Sequence, residues 1–121
     1  MRLPLALTAA LSLAVSAAFA DSDPNADFQK ADRALNQTFR QIEKRLADDA
    51  SGKARLVTAQ KAWIAFRDAE CTFQSSGEDG GTAAPMVATS CRATLTEERT
   101  KQLKAYLHCQ EGDLACPVPA Q

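Results

Sequence analysis

The chain has 121 residues, four cysteines, one histidine and a formal net charge of −1. That length allows one domain and leaves no room for a second of ordinary size. The charge balance excludes the basic field that nucleic acid or an anionic lipid surface would require.

Met1-Arg2 is a short basic start, and Leu3 to Ala18 is almost wholly apolar. Ala18-Phe19-Ala20 puts small residues at the two positions a signal peptidase reads, and Asp21-Ser22-Asp23 turns polar at once. This is the order of a cleaved secretory signal. The apolar run is at the short limit for spanning a bilayer, which takes about 20 residues, so a retained anchor is the alternative reading. The expected division is a leader over residues 1–20 and a single helical domain over residues 21–121, with no stable membrane anchor once the leader is removed. The expected location is bacterial, periplasmic or secreted. Loss of Arg2 leaves 13 basic against 15 acidic residues, a charge of −2 (13 − 15), which fits a cationic partner.

Asp23-Pro24 reads as a helix start, with Asp as cap and Pro at the first helical position. Phe28, Ala31, Leu35, Phe39, Ile42 and Leu46 then recur at three- and four-residue steps, one apolar stripe over about six turns. Asp48 to Gly52 breaks the pattern as a turn. A second helix is expected from about Lys53 to Phe73. Leu56, Ala59, Trp63, Phe66 and Glu70 lie along one line of it, and Val57, Gln60, Ile64, Arg67 and Cys71 lie beside that line. The wide apolar band predicts that this helix is the most buried, with the single Trp in the core. Gln74 to Ala84 has no period and three glycines, and reads as an exposed loop. Pro85 opens a third helix, capped near Thr82. Val87, Cys91, Leu95, Leu103 and Tyr106 or Leu107 mark its inner face, which Arg99 interrupts. Gly112 and Pro117 stop any helix beyond, and the last residues are expected to fray. The fold class is all-α: a small three-helix domain whose second and third helices form an antiparallel hairpin. Its expected core is Leu35, Phe39, Trp63, Phe66, Leu95 and Leu103.

An even count of cysteines in an oxidising compartment reads as two disulfides, and four cysteines allow three pairings. The hairpin favours Cys71–Cys91, which would leave Cys109–Cys116 to close a short C-terminal tail. A metal site at His108, Cys109 and Cys116 is the competing reading. It lacks a C-x-x-C pair and a second His, and oxidation competes for its thiols. Catalytic patterns are equally thin. The one His lies near the C-terminus, no G-x-S-x-G elbow is present, and the carboxylate pairs Asp48/Asp49 and Glu97/Glu98 read as solvated charge. The sequence therefore assigns no catalytic residue, no metal and no cofactor.

Polar residues beside the apolar stripes say more. Asp32 and Asn36 flank Leu35, Gln60 and Arg67 flank Trp63 and Ile64, and Arg99 breaks the third stripe. A buried Arg needs a carboxylate or several carbonyls, which predicts a network joining Arg67 or Arg99 to Asp32, Asp68 or Glu70. Such a network sets helix register; the sharper reading makes it a polar recognition patch.

The segment from Thr58 to Cys71 resembles the A-Q-x-A-W-x-x-[YF]-R-D-x-x-C motif of the lysozyme inhibitor LprI N-terminal domain family. Gly80-Gly81, Cys91 and Leu95-Thr96-x-x-Arg99-Thr100-x-x-Leu103 resemble its second half, and Asp32 to Asn36 with Phe39 its first helix. The Cys109–Cys116 tail with Pro117 is similar to the ending of some members. The resemblance covers nearly all of residues 21–121. It implies a helical exported domain, a Cys71–Cys91 bridge, and a link to lysozyme inhibition by a lipoprotein member. This chain has neither a lipidated Cys at the maturation point nor the extra cysteines many members carry near the first helix.

The leading expectation is a non-enzymatic envelope protein with a protein partner, a lysozyme-type muramidase being the named candidate. The exposed segment with Glu78, Asp79, Gly80 and Gly81 would present negative charge to a cationic enzyme; its plainer reading is a solvated connector. Two other expectations compete. A structural or assembly accessory of the envelope predicts a stable partner and no effect on lysozyme. A hydrolase predicts turnover, and the sequence offers no nucleophile–base spacing for it.

Overall fold

The computed structural model describes residues 22–120; the expected leader and its cleavage point lie outside the described residues. Three helices follow in order: α1 (Pro24–Arg45), α2 (Ala50–Ser75) and α3 (Ala84–Tyr106), with a short 3-10 turn at Ser76–Glu78. No strand occurs among the described residues, and none of their helices is long and apolar enough to cross a membrane.

Local chemistry sets the helix ends. The Asn25 N–H donates to Asp23 Oδ1 at 2.9 Å, and Pro24 takes the first turn, where its missing N–H costs nothing. Asp27 near the start and Lys44 and Arg45 in the last turn match the helix dipole. The turn after α1 closes sooner than its sequence suggests. Asp49 caps α2 by accepting the Gly52 N–H at 2.8 Å, so Ala50 to Gly52 are already helical. A Cβ on Gly52 would meet the Asp49 carboxylate, so a larger residue there would require that side chain to shift. At its far end α2 runs past Phe73 to Ser75. The cap of α3 is Ala83, the neighbour of Thr82, and it makes no side-chain hydrogen bond.

One bridge and two hydrogen bonds mark the arrangement. Cys71–Cys91 joins the end of α2 to an early turn of α3, with Cα atoms 5.5 Å apart. The Gln60–Arg99 pair lies further along the same seam, so α2 and α3 are antiparallel. At its start α1 shares a surface hollow with the start of α3, between Pro24, Asn25, Pro85 and Met86. At its end, Arg45 Nη1 donates to the Leu107 carbonyl at 3.3 Å. Helices α1 and α3 are therefore parallel neighbours, and theirs is the most extensive helix contact in the molecule. The buried stripe Ala31, Leu35, Thr38, Ile42 passes Ala93, Thr96, Thr100, Leu103 in the same order. Small side chains let the two backbones close up. The Thr38 and Thr100 hydroxyls donate to Ala34 O and Thr96 O, both at 2.9 Å, so their burial strands no polar group.

This packing corrects the expectation for α2, which is the least enclosed of the three helices. It lies mainly against α3, and the line it buries is Gln60, Arg67, Cys71 and Ser75. The apolar line beside it is left partly open: Trp63 is half-buried against the core and Phe66 is 55% exposed and outside the core, while Ile64, in step with Gln60 and Arg67, is exposed as well. Leu35 and Leu103 are buried; Phe39 and Leu95 are half-buried.

The C-terminal tail is a second correction. Cys109–Cys116 closes it, with Cα atoms 5.9 Å apart, and Gly112 turns the chain at φ 84°. Instead of fraying, the tail folds back and buries Val118 to 3% exposure in a cluster with Leu35, Ile42, Leu46 and Leu103. Arg45 ties it down through hydrogen bonds to the Leu107 and Pro119 carbonyls.

Candidate functional site

The α2–α3 seam holds four of the seven singled-out polar residues. Arg67 is 8% exposed. Its Nε donates to Asp68 Oδ1 at 3.0 Å, and its Nη1 donates to Thr96 Oγ1 at 3.4 Å. The guanidinium carbon also lies 5.3 Å from the ring centroids of both Phe28 and Trp63. One cation thus touches all three helices: Phe28 on α1, Trp63 and Asp68 on α2, Thr96 on α3. Asp68 faces Arg92 Nε at 3.5 Å as well, so its carboxylate links α2 to α3.

One turn toward the other end of α3, Arg99 approaches the same Trp63 ring at 6.0 Å. Its Nε donates to Gln60 Oε1 and its Nη1 to Gln102 Oε1, both at 3.1 Å. It meets amides and no carboxylate, unlike the partner set expected for it. Burial therefore pulls its guanidinium below the ordinary arginine value, and Tyr106 nearby opposes that shift.

Asp32 and Asn36 stand apart from both arginines. They pair with each other on α1 at 3.2 Å, and Glu70 likewise pairs with Gln74 at 3.1 Å. Side chains one turn apart on one helix satisfy each other locally, so these two pairs do not join the seam. The members sequence reasoning passed over are Phe28, Arg92 and Thr96. Thr96 was legible in principle, because it falls on the three- and four-residue step with Thr100 and Leu103.

The α2–α3 connection forms one end of the bundle. Glu78, Asp79, Gly80 and Gly81 are all exposed there. The Asp79 and Gly81 N–H groups donate to Ser76 O and Glu78 O at 3.2 and 2.9 Å, and Gly80 takes φ 82°. These bonds make the segment a folded turn that holds the two acids outward. Phe73, 74% exposed, and Met86, 56% exposed, flank it on the ends of α2 and α3. Acidic side chains and large apolar ones therefore share one tip, directly above the Cys71–Cys91 bridge.

The opposite end carries a cleft of about 380 Å³ between the end of α1, the start of α2 and the tail. Among the described residues no cluster of three or more His, Cys, Asp or Glu side chains is grouped to hold a metal ion.

A family model described as "Lysozyme inhibitor LprI" matches residues 19–103. An uncharacterised protein of Rhizobium meliloti (strain 1021) is 34% identical over 97 residues, covering 71% of this chain and 70% of the relative. No solved structure matches.

Proposed function

Because the chain belongs to the lysozyme inhibitor LprI family, we propose that it is an exported, non-enzymatic protein that binds a lysozyme-type muramidase and blocks its substrate cleft. The observation that carries this reading is the tip, where Glu78 and Asp79 stand between Phe73 and Met86. Binding surfaces draw most of their energy from a few large side chains, and complementary charge steers the encounter. A narrow acidic tip with apolar shoulders suits a concave cationic enzyme. The buried seam and the bridge beneath it stiffen the tip, which lowers the entropy lost on docking. Two disulfides and the layout of Met1 to Asp23 support a periplasmic or secreted location.

Turbidity of a cell-wall suspension tests the proposal. Oxidised protein should slow lysis by lysozyme at or below roughly tens of micromolar. The effect should weaken as salt rises, because the acids are exposed. Unchanged lysis at that concentration overturns the reading.

One observation favours a second reading, an accessory role in envelope assembly. Ala62, Phe66, Ala69 and Phe73 form an exposed apolar stripe at helical spacing along α2, long enough to seat a partner helix. That role predicts a cross-linked envelope protein at Phe66 and no effect on lysozyme.

A further inference from the structure

We infer that the cleft at the end opposite the tip is a binding site for a short apolar chain ending in a carboxylate. Its apolar wall comes from three separate parts of the chain: Leu46 after α1, Leu56 on α2 and Val118 on the tail. Its charged rim is Arg55 and Arg99. At roughly 30 Å³ per heavy atom, about 380 Å³ holds on the order of twelve atoms, the size of a medium-chain acid or of the C-terminal residue of a peptide whose remainder stays outside.

The charge order selects an anion. Two guanidinium groups line the cleft against one carboxylate, Asp49, and that carboxylate is already engaged in capping α2. Arg99 is oriented from behind. Gln60 and Gln102 hold its Nε and Nη1, and Trp63 backs its face, which leaves Nη2 with no protein partner among the described residues. No buried polar side-chain atom lacks a partner, so this Nη2 is reached by solvent, and Arg99 itself lines the cleft. A partly dehydrated cation held by neutral amides gains more from an incoming carboxylate than one already paired with an acid. Asp68 serves Arg67 in that way, and no acid serves Arg99. Tyr106 lines the same wall and offers a hydroxyl.

Trp63 is the single tryptophan and lies beside Arg99, so its fluorescence reports occupancy without a label. The probes are octanoate, octanol, octylamine, and the dipeptide acetyl-Ala-Leu as free acid and as amide. Octanoate or the free-acid dipeptide should bind saturably, one per chain. The alcohol, the amine and the peptide amide should bind at least about tenfold more weakly, since a charge-assisted bond is lost. Octanoate alone identifies a lipid source, and the free-acid peptide alone a polypeptide C-terminus; either supports the site. Arg99→Gln should weaken binding at least about tenfold. Ala59 is exposed and lines the cleft, so Ala59→Phe should fill it and abolish binding with helix content unchanged. Arg55→Gln, also at an exposed position, should weaken binding severalfold and keeps the test open if Arg99→Gln does not fold. Absence of saturable binding for both acids up to about millimolar concentration overturns the site. Equal binding of octanol, or octanoate binding untouched by Ala59→Phe, does the same.

Discussion

The guanidinium of Arg67 rests 5.3 Å from the ring centroid of Trp63, and the two side chains hold each other at the meeting point of the three helices. At 8% exposure Arg67 offers almost no surface to a partner, and we propose that its work is architectural. Arg67→Ala should lower unfolding free energy by about 3 kcal/mol, having removed a buried, paired cation. Arg67→Met, which keeps the volume and the ring contact, should cost about 1–2 kcal/mol. Urea unfolding followed by circular dichroism measures both. A stable Arg67→Met protein that no longer slows lysozyme would show instead that Arg67 touches the partner.

The tip should behave in the opposite way. Glu78→Ala with Asp79→Ala, and separately Phe73→Ala, should leave stability within about 0.5 kcal/mol, because all three side chains are exposed. Each change should raise the concentration needed to slow lysis about tenfold, the scale of a hot-spot loss near 1.4 kcal/mol. Unaltered inhibition by all three residues would move the contact elsewhere.

The two bridges should differ in weight. Cys71–Cys91 spans 20 residues, and on the chain-entropy account its loss costs about 3 kcal/mol. Cys109–Cys116 spans 7, and its loss costs about 2 kcal/mol. Paired Cys→Ser variants compared by thermal unfolding check the order. A larger loss at the C-terminal pair would mean that the tail carries more of the core than the longer bridge does.

Val118 is the anchor of that tail. Val118→Ala removes two buried methyl groups and should cost about 1–2 kcal/mol, read from the urea midpoint at constant slope. A neutral result would show that the tail is not held against Leu46 and Leu103 in solution.

The helices and the pairing of the cysteines were legible because both depend on local signals: spacing, caps and the reach of a hairpin. Which face of α2 would be covered was not. Its apolar line through Trp63 and Phe66 and its polar line through Gln60, Arg67 and Cys71 lie side by side on one helix. Hydropathy favours the first, and contact with α3 selects the second. The bridge at Cys71 was the signal that could have decided it, since a residue bonded to α3 must face α3. Arg99 was recognised as an interruption, but its partners were not, because two glutamine amides leave no charge pattern to read. Val118 sits between Pro117 and Pro119 in helix-breaking sequence, and only the returning turn at Gly112 puts it inside. The acids at Glu78 and Asp79 were legible as exposed; that Phe73 and Met86 stand exposed beside them was not, since it follows from how the helix ends pack.

Parallel packing of α1 with α3 has a consequence for how the molecule comes together. The stripe from Ala31 to Ile42 finds its cover on residues about sixty positions later, and the cluster closes only when Val118 arrives. Contacts so distant along the chain demand that a long loop be drawn in before any reward is collected. Until α3 is available, the stripe of α1 lacks the cover that encloses it. Closure of the cluster is thereby deferred until Val118 is free to fold back onto it.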